Sequence, residues 1–249
     1  MTSAWKPASA LLAMACAISP AFSQSLSPLV PADGSAASTW RFVGFPKSKA
    51  DIPATRFELA EVQGERAIKV STRASYGTWV HDLPKADPGR LQWRWRLDQP
   101  LTGGKVVADI LTKAGDDAAL KVCVMFDHPL DRVPFAQRTL LRIARSISGE
   151  DLPAATLCYV WDSVYPAGLQ GANPYTQRVR FITLQGKGAP LAQWQTETRD
   201  VAADFAKMFS DELPAGAVVP KVRAVLVGAD SDNTAAESVG WVKALTWTR

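Results

Sequence analysis

Hydrophobic and polar residues alternate along most of this chain, the period of strands that bury one face. The clearest run is "LQWRWRL", where Leu91, Trp93, Trp95 and Leu97 share one face and Gln92, Arg94 and Arg96 the other. "ALKVCVMF" groups Leu120, Val122, Val124 and Phe126, with Lys121, Cys123 and Met125 opposite. "TLCYVW" groups Leu157, Tyr159 and Trp161. "TRFELAEVQGERAIKVST" holds two alternating runs around Gln63, Gly64, Glu65 and Arg66, which predicts a hairpin. "TWVHDL", "RVRFITL", "WQTETRDV", "KVRAVLVG" and "SVGWVKALTWT" complete the set.

Two stretches change to helical spacing. "PFAQRTLLRIARSISGED" carries Phe135, Leu140, Leu141 and Ile143, with Gly149 as a stop. "DVAADFAKMF" puts Val201, Phe205, Met208 and Phe209 on one side, with Asp200 as its cap. Helices do not alternate regularly with strands, which argues against a parallel α/β sheet. Roughly ten short strands with Gly, Pro and Asp turns predict a mainly all-β fold. The expected architecture is an antiparallel β-sandwich of jelly-roll or lectin-like type with one or two short helices.

The first residues break this pattern. "MTSAWKPASALLAMACAISPAFSQ" has one early cation, Lys6, an apolar run from Ala8 to Ile18, a break at Pro20 and small residues at Ala21 and Ser23. That is the layout of a signal peptide, with cleavage expected near Ser23–Gln24. The run is shorter than the ~20 residues that span a bilayer. A lipoprotein reading at Cys16 fits poorly, because Met14 stands in the middle of "LAMAC". The expected division is 1–23 signal peptide, 24–38 disordered lead-in rich in Ser, Pro and Ala, and 39–249 a single sandwich domain. The expected location is the periplasm or the medium, with no transmembrane segment in the mature chain.

Composition adds limits. The 249 residues are 47% hydrophobic, enough for a sizeable core, and include nine tryptophans. Formal charge is +4; removing Lys6 with the signal leaves 4 − 1 = +3. That is too mild for nucleic-acid binding, which needs a concentrated basic patch. The two histidines, His81 and His128, stand in no metal-binding spacing, and no CxxC, phosphate loop or GxSxG elbow is present. Cys123 and Cys158 remain after cleavage. They form either a disulfide, as an oxidising compartment allows, or two buried thiols.

Acids cluster in two turns. "GADSDNT" carries Asp230, Asp232 and Asn233; "KAGDDAA" carries Asp116 and Asp117, which either form a turn or add a second set of acids to one ligand cleft with them, Trp161, Asp162 and Asn173. An EF-hand is ruled out, since Thr234, Ala235 and Trp241 stand where the third ligand, the glycine and the glutamate belong. A looser calcium site on Asp230 and Asp232 stays open, beside the commoner reading of side chains that tie a turn. Two carboxylates about 6.5–9.5 Å apart would suit an inverting glycosidase. Asp230 and Asp232 meet that spacing if their strand continues, and Glu197 is a further acid, with Arg199 on its face as a partner. Trp161 ends a strand beside Asp162 and a Pro/Gly/Asn loop that contains Asn173, an arrangement suited to a sugar platform or to closing the sandwich edge. Arg94, Arg96, Lys121, Arg178 and Arg180 would form a basic face if their strands were neighbours.

"LQWRWRLDQPL", "TKAGDDAALKVCVMFD", "LCYVWDS", "NPYTQRVRFITLQ", "ETRDVAADFAKMF" and "GADSDNT", in this order, resemble the bacterial domain-of-unknown-function family three-thousand-forty-seven, from about Trp40 to Trp247. The resemblance implies an exported β-sandwich and brings no known activity. Against the family pattern, Lys121 and Cys123 replace Arg and Tyr, Cys158 replaces Asn, Ala229 replaces Thr, and Phe135–Asp151 is an insertion. The paired replacement at Cys123 and Cys158 implies that the two are neighbours. The expected function is a non-catalytic module that binds a glycan or related envelope polymer, without a cofactor. A glycan-cleaving enzyme and a structural envelope protein are the alternatives.

Overall fold

The computed structural model describes Met1 and residues 26–33, 39–45, 51–148 and 151–248. The expected signal segment, beyond Met1, lies outside the described residues. Two sheets face each other. The larger runs β1 (Trp40–Val43), β4 (Tyr76–Ala86), β11 (Val222–Asp230), β6 (Leu120–Phe126), β7 (Ala155–Trp161), β9 (Thr176–Gln185), β8 (Gln170–Asn173). Its neighbours are antiparallel except β7 and β9, which run parallel. The smaller is antiparallel throughout: β10 (Gln195–Asp200), β5 (Arg90–Thr102), β12 (Glu237–Thr248), β3 (Glu65–Arg73), β2 (Arg56–Val62). This is the β-sandwich that the alternation predicts.

The alternating residues build the core as expected. Leu91, Trp93, Trp95 and Leu97 of β5 are buried in one cluster with Leu120, Val122, Val124 and Phe126 of β6 and Leu157, Tyr159 and Trp161 of β7. Trp93 meets Trp95 edge-on at 5.4 Å, and Trp95 meets Trp161 at 5.5 Å. The β2–β3 turn uses Gln63 and Gly64, both at positive φ, as a two-residue hairpin turn requires. Cys123 and Cys158 sit opposite each other on β6 and β7 and form a disulfide. They lie on the sheet's outer face in a second apolar cluster with Val80, Val160, Phe181 and Leu226.

Both helices form. In α2 (Val201–Met208), Asp200 caps by accepting from the Ala203 N–H at 3.0 Å, and Val201, Phe205 and the following Phe209 are buried. In α1 (Phe135–Ser148), Leu141 points inward with Val133 and Ala154, whereas Phe135, Leu140 and Ile143 are exposed. Periodicity located this helix but not its inward side. The lead-in also differs from expectation. Leu26 and Leu29 join the main core, and the Ser27 N–H donates to His81 Nε2 at 3.1 Å. Two leucines three residues apart among Ser and Pro carry no strand or helix signal, so packing alone orders them.

Candidate ligand-binding site

Strand pairing brings the two acidic turns together. β11 runs antiparallel to β6, with Gly228 opposite Lys121, so the end of β11 lies beside the loop that enters β6. "GADSDNT" and "KAGDDAA" therefore meet, although more than 100 residues separate them. Asp230 Oδ1 accepts from the Ala118 N–H at 2.8 Å, and its Oδ2 takes the Lys121 ammonium at 2.5 Å. Buried Asp117 accepts from the N–H groups of Asn233 and Thr234 and from the Thr234 hydroxyl. The Asn233 amide donates to the Asp116 carbonyl at 2.8 Å. Asp117 and Asn233 thus tie the turns, as short polar side chains do.

The β8–β9 hairpin joins them. The Asn173 amide donates to Asp116 Oδ2, and Asn173 Oδ1 accepts from the N–H groups of Tyr175 and Thr176. The Tyr175 hydroxyl donates to the Lys113 carbonyl at 2.8 Å and lies 3.3 Å from Asn233 Oδ1. Tyr175 as a whole is 57% exposed, and the Lys113 ammonium stands over its ring at 5.4 Å from the centre. Tyr76, opposite Asp230 on β4, places its ring 5.7 Å from the Lys121 ammonium.

Charge at this site is unbalanced. Burial, and then the Asp230 carboxylate, push Asp116 up to about 6. Burial, then Asp230 and Asp117, push Asp232 up to about 6 as well. Burial also raises Asp117, against the hydrogen bonds from Thr234. Burial alone would pull Lys121 down, but Asp230, Tyr76 and Asp116 outweigh it and hold the ammonium above its usual range. Two half-buried acids near pH 6 beside a locked ion pair are the kind of perturbed group that marks functional sites.

Other sequence-predicted residues have different roles. Trp161 is 1% exposed and packed against Trp95, so it presents no platform; its own alternation with Leu157 and Tyr159 points it inward. Asp162 is buried and accepts from the Val164 and Tyr165 N–H groups, as a turn former. β11 ends at Asp230, so Asp230 and Asp232 do not share the extended strand that the glycosidase spacing assumed. Glu197 Oε1 accepts from the Trp95 indole and the Gln185 amide, while Arg199 pairs with Asp204 instead. The basic face does not form: Arg94 and Arg96 lie on the smaller sheet, the others on the larger, and each cation has its own acid. For a metal, Lys121 already stands on Asp230. Among the described residues no group of three or more His, Cys, Asp and Glu is arranged to hold an ion. Tyr175 was missed, although the "NPYT" turn signalled an aromatic displayed at a hairpin tip.

Fold and site define a class: a two-sheet β-sandwich whose loops gather a polar cluster beside an exposed tyrosine. The family model that matches, over residues 38–246, is described as "Protein of unknown function (DUF3047)", and the chain belongs to that family. No curated protein matches. Among solved structures, TmCBM61 in complex with β-1,4-galactotriose is similar at 11% identity and a TM-score of 0.35, over 85% of this chain and 89% of that one. The family 11 carbohydrate-binding module of cellulase Lic26A-Cel5E of Clostridium thermocellum is similar at 8% and 0.38, over 89% and 92%. The xyloglucanase domain of NopAA from Sinorhizobium fredii, in complex with cellobiose, is similar at 10% and 0.39, over 84% and 93%.

Proposed function

We propose that the protein is an exported, non-catalytic module that binds a glycan or related envelope polymer at Tyr175, Asp116, Asn173, Asp232 and Asn233. The observation that carries this reading is Tyr175, an exposed residue whose hydroxyl donates to the Lys113 carbonyl and whose ring has the Lys113 ammonium 5.4 Å from its centre on one side. The ring face away from Lys113 suits the C–H side of a sugar ring, and carboxylates and amides at its rim suit the hydroxyls. The reading stands on this geometry and not on the distant likenesses. A glycan array with the full-length protein tests it. Tyr175→Ala is expected to lose about tenfold or more in affinity, the scale of an aromatic anchor, without loss of stability. Unchanged affinity in Tyr175→Ala sinks the site. Binding is expected to survive EDTA, because Lys121 takes the place next to Asp230 that a cation would need.

One observation favours a glycan-cleaving enzyme as second reading: Asp116 and Asp232 are both raised to about 6, a value suited to proton transfer. It predicts release of sugar product that Asp116→Asn abolishes. Absence of product from any glycan that the protein binds removes it.

A further inference from the structure

Helix α1 shows its apolar side to the outside. Phe135 is 75% exposed, Leu140 67%, Ile143 50% and Ile147 81%. Leu140, Ile143 and Ile147 recur at three- and four-residue spacing, so they form one stripe. The opposite side is held down. Leu141 is buried with Val133 and Ala154, the Arg178 guanidinium donates to Gln137 Oε1, and the Arg145 guanidinium donates to the Leu152 carbonyl. These attachments prevent the helix from rolling its stripe inward. A soluble domain ordinarily buries such a stripe, so this one is arranged for contact with something else.

Charge says what the contact is. From Phe135 to Ser148 the helix carries Arg138, Arg142 and Arg145 and no acid. Arg145 pairs with Asp151. Arg138 rests over the Phe135 ring and donates to the Leu130 carbonyl. Arg142 is exposed at the margin of the apolar side. A second copy packed across a twofold axis would bring this margin against its equivalent, with no carboxylate on either helix to offset the guanidinium groups. An anionic bilayer surface meets both features: the stripe enters the boundary of headgroup and acyl chain, and the arginines meet phosphate. No described helix is long and apolar enough to cross a membrane, so contact is with one surface only.

We propose that α1 is an interfacial helix that docks the domain on membranes containing anionic phospholipid. Co-sedimentation of the full-length protein with vesicles tests this, comparing phosphatidylcholine alone with phosphatidylcholine containing about 30 mol% phosphatidylglycerol. The expected result is binding at least about fivefold stronger on the anionic vesicles, the scale of one arginine near such a surface. The double variant Ile143→Asp, Ile147→Asp should lose about tenfold or more, and Arg142→Glu a smaller amount that high salt erases. All three side chains are exposed, so the variants keep the fold, which an unchanged Tm verifies. The same comparison on a chain that starts at Gln24 removes the apolar N-terminal segment as a second membrane binder. Binding that ignores the double variant, or ignores phosphatidylglycerol, overturns the proposal. So does an absence of vesicle binding, whether the protein then proves to be a dimer through this stripe or a binder of an acidic protein.

Discussion

Two acidic clusters in this molecule were built on opposite plans. Buried Glu212 accepts from Arg178 and Arg180 and contacts His128 Nε2 at 3.1 Å, while Asp211 takes the rest of Arg180. Burial alone would push Glu212 up, but Arg178, His128 and Arg180 outweigh it and bring it down to about 2. Around Asp230, by contrast, Asp116, Asp117 and Asp232 add their charge while Lys121 pairs with Asp230, and Asp116 and Asp232 rise to about 6. The first cluster satisfies its charges and holds elements together. The second leaves charge over, and a site that must meet an outside partner is where such an imbalance is tolerated.

The contrast is broken most severely at Glu212. Glu212→Gln removes the one acid shared by two buried guanidinium groups, and should cost about 3–5 kcal/mol in urea unfolding, as for other broken buried pairs. A cost under about 1 kcal/mol would mean that Arg178 relaxes to solvent and the network is not structural. The sign with pH follows from the lowered value. The Glu212 contribution is complete above its ordinary pKa of 4.5 and is lost as pH falls toward 2.

Next in size is Lys121→Met, which keeps the aliphatic stem and removes the ammonium. Asp230 is then left among acids with only the Ala118 N–H, and stability at pH 7 should fall by about 2–3 kcal/mol. Because the unpaired acids take up protons more readily, the deficit should shrink toward pH 5. A deficit that is constant with pH would show that Lys121 acts through packing against Tyr76 and not through charge.

These clusters also mark how far the sequence reaches. The inward faces of β5, β6 and β7 were legible residue by residue, because alternation is a local consequence of strand geometry. Each acidic turn was legible as a turn for the same reason. That the two turns share one site was not, since it depends on β11 pairing with β6 across more than 100 residues. The arginines show the same limit. Arg178 and Arg180 read as polar strand residues, but their partner Glu212 lies beyond α2 and no local pattern announces it. For Trp161 the sequence leaves a sugar platform and closure of the sandwich both open, and the alternation with Leu157 and Tyr159 is the part of the signal that the packing follows. In α1 the limit is different: the helical period locates the helix without saying which side turns inward.

The smallest effect is the most diagnostic of the second cluster. Asp232 is raised by burial and by Asp230, so its ionised form is disfavoured in the fold. Below pH 4 it is protonated in both folded and unfolded chains and contributes nothing. Between about 4 and 6 the unfolded chain releases the proton first, so stability falls through this window and then levels. Asp232→Asn removes that penalty. It should therefore stabilise the protein at pH 7 by about 1 kcal/mol, discounted for partial exposure, and leave it unchanged at pH 4. Thermal unfolding at the two values measures this directly. A gain in stability paired with weaker glycan binding would identify Asp232 as a group kept for its ligand at the expense of the fold. A loss of stability at pH 7 would instead make Asp232 a turn residue like Asp117, and reduce the proposed ligand surface to Tyr175, Asp116 and the two asparagines.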